Sequence, residues 1–157
     1  MRERMGTRRF RYQDPSCPLT LRQGLQEYFA GHPGLLQPNS ADIQTAEFFH
    51  SHDACHVLFG LDTTLPDEGL ADLWTLFGTN VGLGRYVRYL RTNPARQIVK
   101  EIGLFQTIVT TLRLLPSVVL VFLRSRKMKK KWGWGDEEAY LDWPLVALRR
   151  EFNIDIL

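Results

Sequence analysis

His52, Asp53 and His56 stand within five residues of one another, and Glu68 follows His56 after eleven intervening residues. Imidazole nitrogens and carboxylate oxygens are the donors that hold zinc, iron(II) or manganese, so their mutual placement decides whether chemistry is available. On a helix advancing about 100° per residue, with His52 at zero, His56 lies near ~40° and Asp53 near ~100°. These three can converge. His50 falls near ~160° on the same wheel and is expected at the surface or in a supporting role. Phe48, Phe49 and Phe59 flank the stripe, so the carboxylate would meet apolar surface, where a cation removes the cost of burying it. Glu68, on the first turn of the next helix, can close back as a fourth ligand.

Two histidines one turn apart are by themselves more often a polar helix face than a metal site. Asp53 and the placement of Glu68 reverse that balance, giving two nitrogen and two oxygen ligands. Cys55, near ~300° on the wheel, is an alternative softer donor but reads first as a small packed hydrophobe. Other templates fit less well. The zincin pattern needs glutamate between its histidines, where this chain has Asp53. Glu47 and His50 form one ExxH pair, and a four-helix di-iron site needs two. GLGRY is not a dinucleotide fingerprint, and no serine sits in a nucleophile elbow.

The elements that must position these residues read as helices. Thr20 can cap a short amphipathic helix with Leu21, Leu25, Tyr28 and Phe29 on one face and Gly31 as its stop. After the turn-rich HPGLLQPNS, Asn39 or Ser40 can cap the histidine helix, which runs to about Gly60. Thr64, with Pro66 in the first turn, starts a third helix expected to reach about Leu90, weakened by Gly78, Gly82 and Gly84. The apolar stretch from Ile102 to Leu123 is long enough to span a bilayer, but Arg113 near its centre costs roughly 2.5 to 3.5 kcal/mol there. With Pro116 interrupting it, two helices are expected, buried or lying on a membrane surface. WPLVALRREFNI forms the last helix. No strand alternation or internal repeat is present. The expectation is an all-α, single-domain bundle of about six to seven helices.

The 157 residues suffice for one core, and 44% hydrophobic with 11% aromatic residues excludes disorder. Two cysteines, Cys17 and Cys55, without a signal peptide suggest a reducing, cytoplasmic compartment. Residues 1–18 are expected as an exposed basic tail and 19–157 as the helical metal- and lipid-binding domain. The net charge of +3 conceals the run Arg124, Arg126, Lys127, Lys129, Lys130 and Lys131; without these six, 14 basic residues face 17 acidic ones. Such a run suits an anionic lipid surface, with Trp132 and Trp134 beside it as interfacial anchors. Nucleic acid is not expected as a partner, because no recognition motif accompanies the run. Ile108, Val109, Leu112, Leu115, Val118, Val119 and Phe122 are candidates to line a groove for a greasy tail, core packing being the simpler role for any one of them.

His52, Asp53, His56, the eleven-residue spacing and Glu68 match the HDxxH-x11-E motif of the coenzyme Q biosynthesis protein 4 family. LTLRQGLQEYFAGHPGL resembles that family's segment before the motif, HVLFGLDTT its continuation, and PLVALRREFNI its C-terminal ending. The resemblance runs from about Leu19 onward. It implies an all-helical protein of ubiquinone biosynthesis, peripheral on the inner membrane, with a metal, zinc first and iron or manganese as alternatives, held by His52, Asp53, His56 and Glu68 as the catalytic group. The implied activity is metal-dependent, oxidative decarboxylation of a prenylated hydroxybenzoate-derived ring at C1. The alternative is an isoprenoid-lipid-binding scaffold that organises other quinone-biosynthesis enzymes around a structural metal, with a homodimer as an open assembly state. The chain is short for the family and lacks its longer N-terminal part, and RSRKMKKKWGWG is not matched to a segment of it.

Overall fold

The computed structural model describes residues 9–35, 43–90 and 104–156, with side chains left out at 43–46, 89–90 and 104–114. Six α-helices carry the fold among the described residues: α1 (Leu21–Gly31), α2 (Ile43–Phe59), α3 (Leu65–Gly78), α4 (Leu83–Leu90), α5 (Leu104–Lys127) and α6 (Leu145–Phe152). Two short 3-10 turns, Arg11–Gln13 and Glu137–Tyr140, join them. No strand occurs among the described residues, only isolated bridges pairing Thr20 with Pro144 and Thr79 with Trp132. The molecule is an all-α, single-domain bundle.

Helix α1 begins where its sequence dictates. The Thr20 side chain accepts from the Gln23 N–H at 3.2 Å while the Gln23 carbonyl oxygen accepts from the Thr20 N–H at 3.0 Å, a reciprocal cap that satisfies two donors. Gly24 lets α1 approach α2 closely, since a Cβ there would lie 2.6 Å from Cγ1 of Val57. α2 packs between α1 and α3, and α3 packs most extensively against α5. One main core unites Tyr12, Leu25, Tyr28, Val57, Phe59, Trp74, Trp132, Leu148 and Phe152. The expected cap of α2 at Asn39 or Ser40 lies outside the described residues.

Three expectations are corrected. The third helix does not run to Leu90: it stops at Gly78, Thr79 pairs with Trp132, and Gly82 turns the chain at φ +78° before α4. The helix ends because Thr79 is extended, at φ −116° and ψ 172°, and the Gly78 carbonyl accepts from the Trp132 N–H instead of continuing the helical ladder. Pro116 does not divide α5, which continues through it. Its ring stands on the exposed face, and the missing N–H costs one backbone hydrogen bond. Residues 9–18, assigned to an exposed tail, pack instead. Tyr12 and Cys17 are buried, the Tyr12 N–H donates to Glu27 at 3.0 Å, and the Tyr12 hydroxyl donates to the Leu61 carbonyl at 2.9 Å.

Arg149, buried on α6, donates to the carbonyls of Leu58, Val57, Tyr12 and Asp14. It thereby satisfies the carboxyl end of the histidine helix and ties it to the first packed segment.

Candidate metal centre

Ligand atoms of His52, His56 and Glu68 all lie within 4.8 Å of one another. The two imidazoles come up from the buried side of α2, while Glu68 reaches in from the first turn of α3 with its side chain 40% exposed. Thr64 caps α3 by accepting from the Asp67 N–H, which fixes where that first turn begins.

The tautomer of His56 follows from its partners. Nδ1 lies 3.1 Å from the Asp62 carbonyl, which can only accept, so Nδ1 carries a proton and donates it. In the neutral ring Nε2 then presents a lone pair, and it lies 3.5 Å from Glu68 Oε2, another acceptor. Two acceptors facing each other require a cation between them, either a further proton or a metal ion. His52 Nε2 adds a third donor: it is buried and has no hydrogen-bond partner among the described residues. The His52 and His56 rings meet edge to face at 4.9 Å, and Tyr28 stacks on His56 at 5.4 Å. Two imidazoles and a carboxylate with a buried orphan nitrogen fit a divalent metal such as zinc, iron(II) or manganese.

Electrostatics set the resting protonation. Burial pushes the His52 imidazolium down, but the carboxylates of Asp72, Glu68 and Asp53 outweigh it and the group is raised above its ordinary value. Burial alone would raise Glu68, yet the His56 ring, with His52 and His32 behind it, holds it below its ordinary value. Burial dominates at Asp53 and raises it despite both histidines and the Tyr28 hydroxyl.

Asp53 is not part of the three-residue cluster. Its Oδ1 accepts instead from the Tyr28 hydroxyl at 3.3 Å, so α1 holds this carboxylate beside the site. His50 lies on the other face, its Nε2 3.7 Å from Glu138 Oε1, in keeping with its angle on the wheel. Cys55 is fully buried, and burial keeps its thiol protonated, so it packs rather than ligates.

Four residues of the site have no site role in the sequence reading. His32 Nδ1 lies 2.7 Å from the Tyr28 carbonyl and its Nε2 lies 2.7 Å from Asp62 Oδ1. Asp62 therefore joins His32 through its carboxylate to His56 through its carbonyl, and Tyr28 reaches both His56 and Asp53. Asp72, one turn beyond Glu68 on α3, places Oδ1 3.6 Å from His52 Nε2. Only Asp72 had a local signal, the i, i+4 spacing from Glu68; His32 and Tyr28 meet their partners across 30 and 25 positions.

The candidate lipid residues separate. Leu115, Val119 and Phe122 are exposed with Leu120 and Leu123, forming an outward face of α5 rather than the lining of a groove, while Val118 is half-buried. Ile108, Val109 and Leu112 lie outside the residues whose side chains are described. Of the basic run, Arg124 is turned inward onto the carbonyls of Asp155 and Ile156, and Lys130 pairs with Glu151 at 3.4 Å. Arg126, Lys127, Lys129 and Lys131 are exposed. Among the described residues no helix is long and apolar enough to cross a membrane. Compared with protein-family models, with characterised proteins and with solved structures, the chain gives no match.

Proposed function

We propose that the chain binds one divalent metal through His52, His56 and Glu68, and uses it to remove the C1 carboxylate of a prenylated, hydroxybenzoate-derived ring in quinone biosynthesis. The observation that carries the metal is the convergence of His56 Nε2, 3.5 Å from the Glu68 carboxylate, with the buried His52 Nε2 that has no hydrogen-bond partner among the described residues. The substrate class comes from the resemblance to the coenzyme Q biosynthesis protein 4 family. When bound, the metal supplies positive charge to the substrate's carboxylate or phenolate oxygens.

The chain's own residues supply the rest. The Asp62 carbonyl orients His56, and Tyr28 stacks on that ring and excludes water from one side. Asp53, raised by burial, lies next to the cluster and is the residue this reading assigns as proton donor. Loss of carbon dioxide leaves an electron pair on C1, which that proton would quench in a redox-neutral outcome. Replacing carboxyl by hydroxyl instead requires an oxidant such as dioxygen, and that outcome favours iron over zinc.

The exposed apolar face of α5 and the basic residues beyond it support attachment to an anionic membrane, where such substrates reside. That face also favours the second reading, a lipid-binding scaffold whose metal is structural.

The test is the metal content of untagged protein beside a His52→Ala, Glu68→Ala double variant, followed by carbon dioxide release from a short-chain prenylated hydroxybenzoate. About one metal per chain, lost in the variant together with turnover, supports the enzyme. Metal without turnover moves the reading to the scaffold, and equal, negligible metal in both proteins sinks it.

A further inference from the structure

Helices α2 and α3 run antiparallel, because His56 faces Glu68 while His52, one turn back on α2, faces Asp72, one turn on along α3. The result is two rungs, each an imidazole opposite a carboxylate, at 3.5 Å and 3.6 Å. The upper side of both rungs is alike: Glu68 and Asp72 have side chains 40% and 41% exposed, while both imidazoles lie beneath them, nine-tenths buried or more. Trp74 and Ala71 are fully buried and fix the rotation of α3 that holds its two carboxylates over the imidazoles.

We infer that Asp72 is a ligand of the metal at this site, in the place that spacing along the sequence gives to Asp53. The inference rests on the metal reading above. Its second support is His52 Nε2, a buried nitrogen without a hydrogen-bond partner among the described residues, whose nearest recorded carboxylate is that of Asp72 rather than of its own neighbour in sequence. At 3.6 Å the pair is too long for a hydrogen bond and leaves room for a cation held between the two atoms. Asp53 lies outside the cluster, engaged by the Tyr28 hydroxyl. Asp72 stands outside the 4.8 Å set as well. It is half-exposed at the open edge of the site, facing His52 at 3.6 Å, whereas one oxygen of Asp53 is already engaged by the Tyr28 hydroxyl. The completed set is His52, His56, Glu68 and Asp72, two ligands from each helix, one turn apart.

The experiment compares Asp72→Asn, Asp53→Asn and His56→Ala in the full chain, reading zinc affinity by competition with a chromophoric chelator and coordination by the visible bands of bound cobalt(II). Asp72→Asn is expected to weaken zinc by about tenfold or more and to alter the cobalt bands, while Asp53→Asn leaves the bands in place. A far-ultraviolet circular dichroism spectrum of Asp72→Asn in chelator that matches the wild type shows that the fold is not what changed. Wild-type affinity and bands in Asp72→Asn, with His56→Ala defective, overturn this inference alone. A wild-type chain that binds neither ion overturns the metal reading with it.

Discussion

His32 is the residue whose role is least visible in the sequence. It stands on neither helix of the cluster, yet its contact with Asp62 fixes the peptide whose carbonyl orients His56. Replacing it with glutamine is expected to lower zinc affinity about tenfold, the scale found when a ligand's supporting hydrogen bond is lost, and chelator competition reads the change. Protonation supplies a second expectation at this scale. The folded value of His52 lies above 6.5, so its contribution to stability is complete below pH 6.5 and is lost as pH rises through the raised value. Asp53, raised above 3.8, adds a loss of the same sign, while Glu68, held below 4.5, loses its contribution only as pH falls. Metal-free protein should therefore melt progressively lower as pH rises above 6.5, and zinc should abolish the trend; a flat profile in chelator would contradict it. Spacing was enough to bring His52, His56 and Glu68 together, because all three depend on helical phase and one short loop. It could not separate Asp53 from Asp72. A helical wheel gives the direction of a side chain but not the Tyr28 hydroxyl that waits there from another helix.

Helix boundaries were legible where side chains make them. Thr20 and Thr64 cap α1 and α3 at the positions their types announce. Thr20→Ala should cost about 1 kcal/mol in urea unfolding, since the hydroxyl that accepts from the Gln23 N–H is lost while the residue-20 N–H can still donate to the Gln23 side chain. Boundaries made by distant backbone were not legible. α3 ends where Trp132 donates to the Gly78 carbonyl at 2.9 Å and its own carbonyl accepts from Asn80 at 3.1 Å, contacts from more than fifty positions away. α5 passes through Pro116 because its packing against α3 outweighs one missing hydrogen bond. Its end is finished by Asn153, in the left-handed conformation at the close of α6, whose side chain donates to the Lys127 carbonyl at 2.7 Å.

For the molecule as a whole, charge and apolar surface coincide on α5. Leu115 and Val119 are 55% and 59% exposed, and Arg126 and Lys127 follow on the same helix. Exchanging Arg126, Lys127, Lys129 and Lys131 for glutamine should reduce binding to anionic vesicles by about 1 kcal/mol per charge, read by flotation, with neutral vesicles as the control. Equal flotation of both proteins would remove the membrane from the reading. Lys130 is spared because Glu151 and the Phe152 ring already hold its ammonium. Arg149 has a further consequence for how the protein is made. It closes the end of the histidine helix from 91 positions downstream of Leu58, and it grips Tyr12 from 137 positions away. A ribosome therefore delivers both imidazoles and Glu68 well before the guanidinium that anchors them exists. Contacts of such sequence separation form late in folding, so the candidate ligands are delivered before the residue that anchors their helix. If the proposed metal reading holds, loading belongs to the finished chain, and its timing follows one arginine that is not among the candidate ligands.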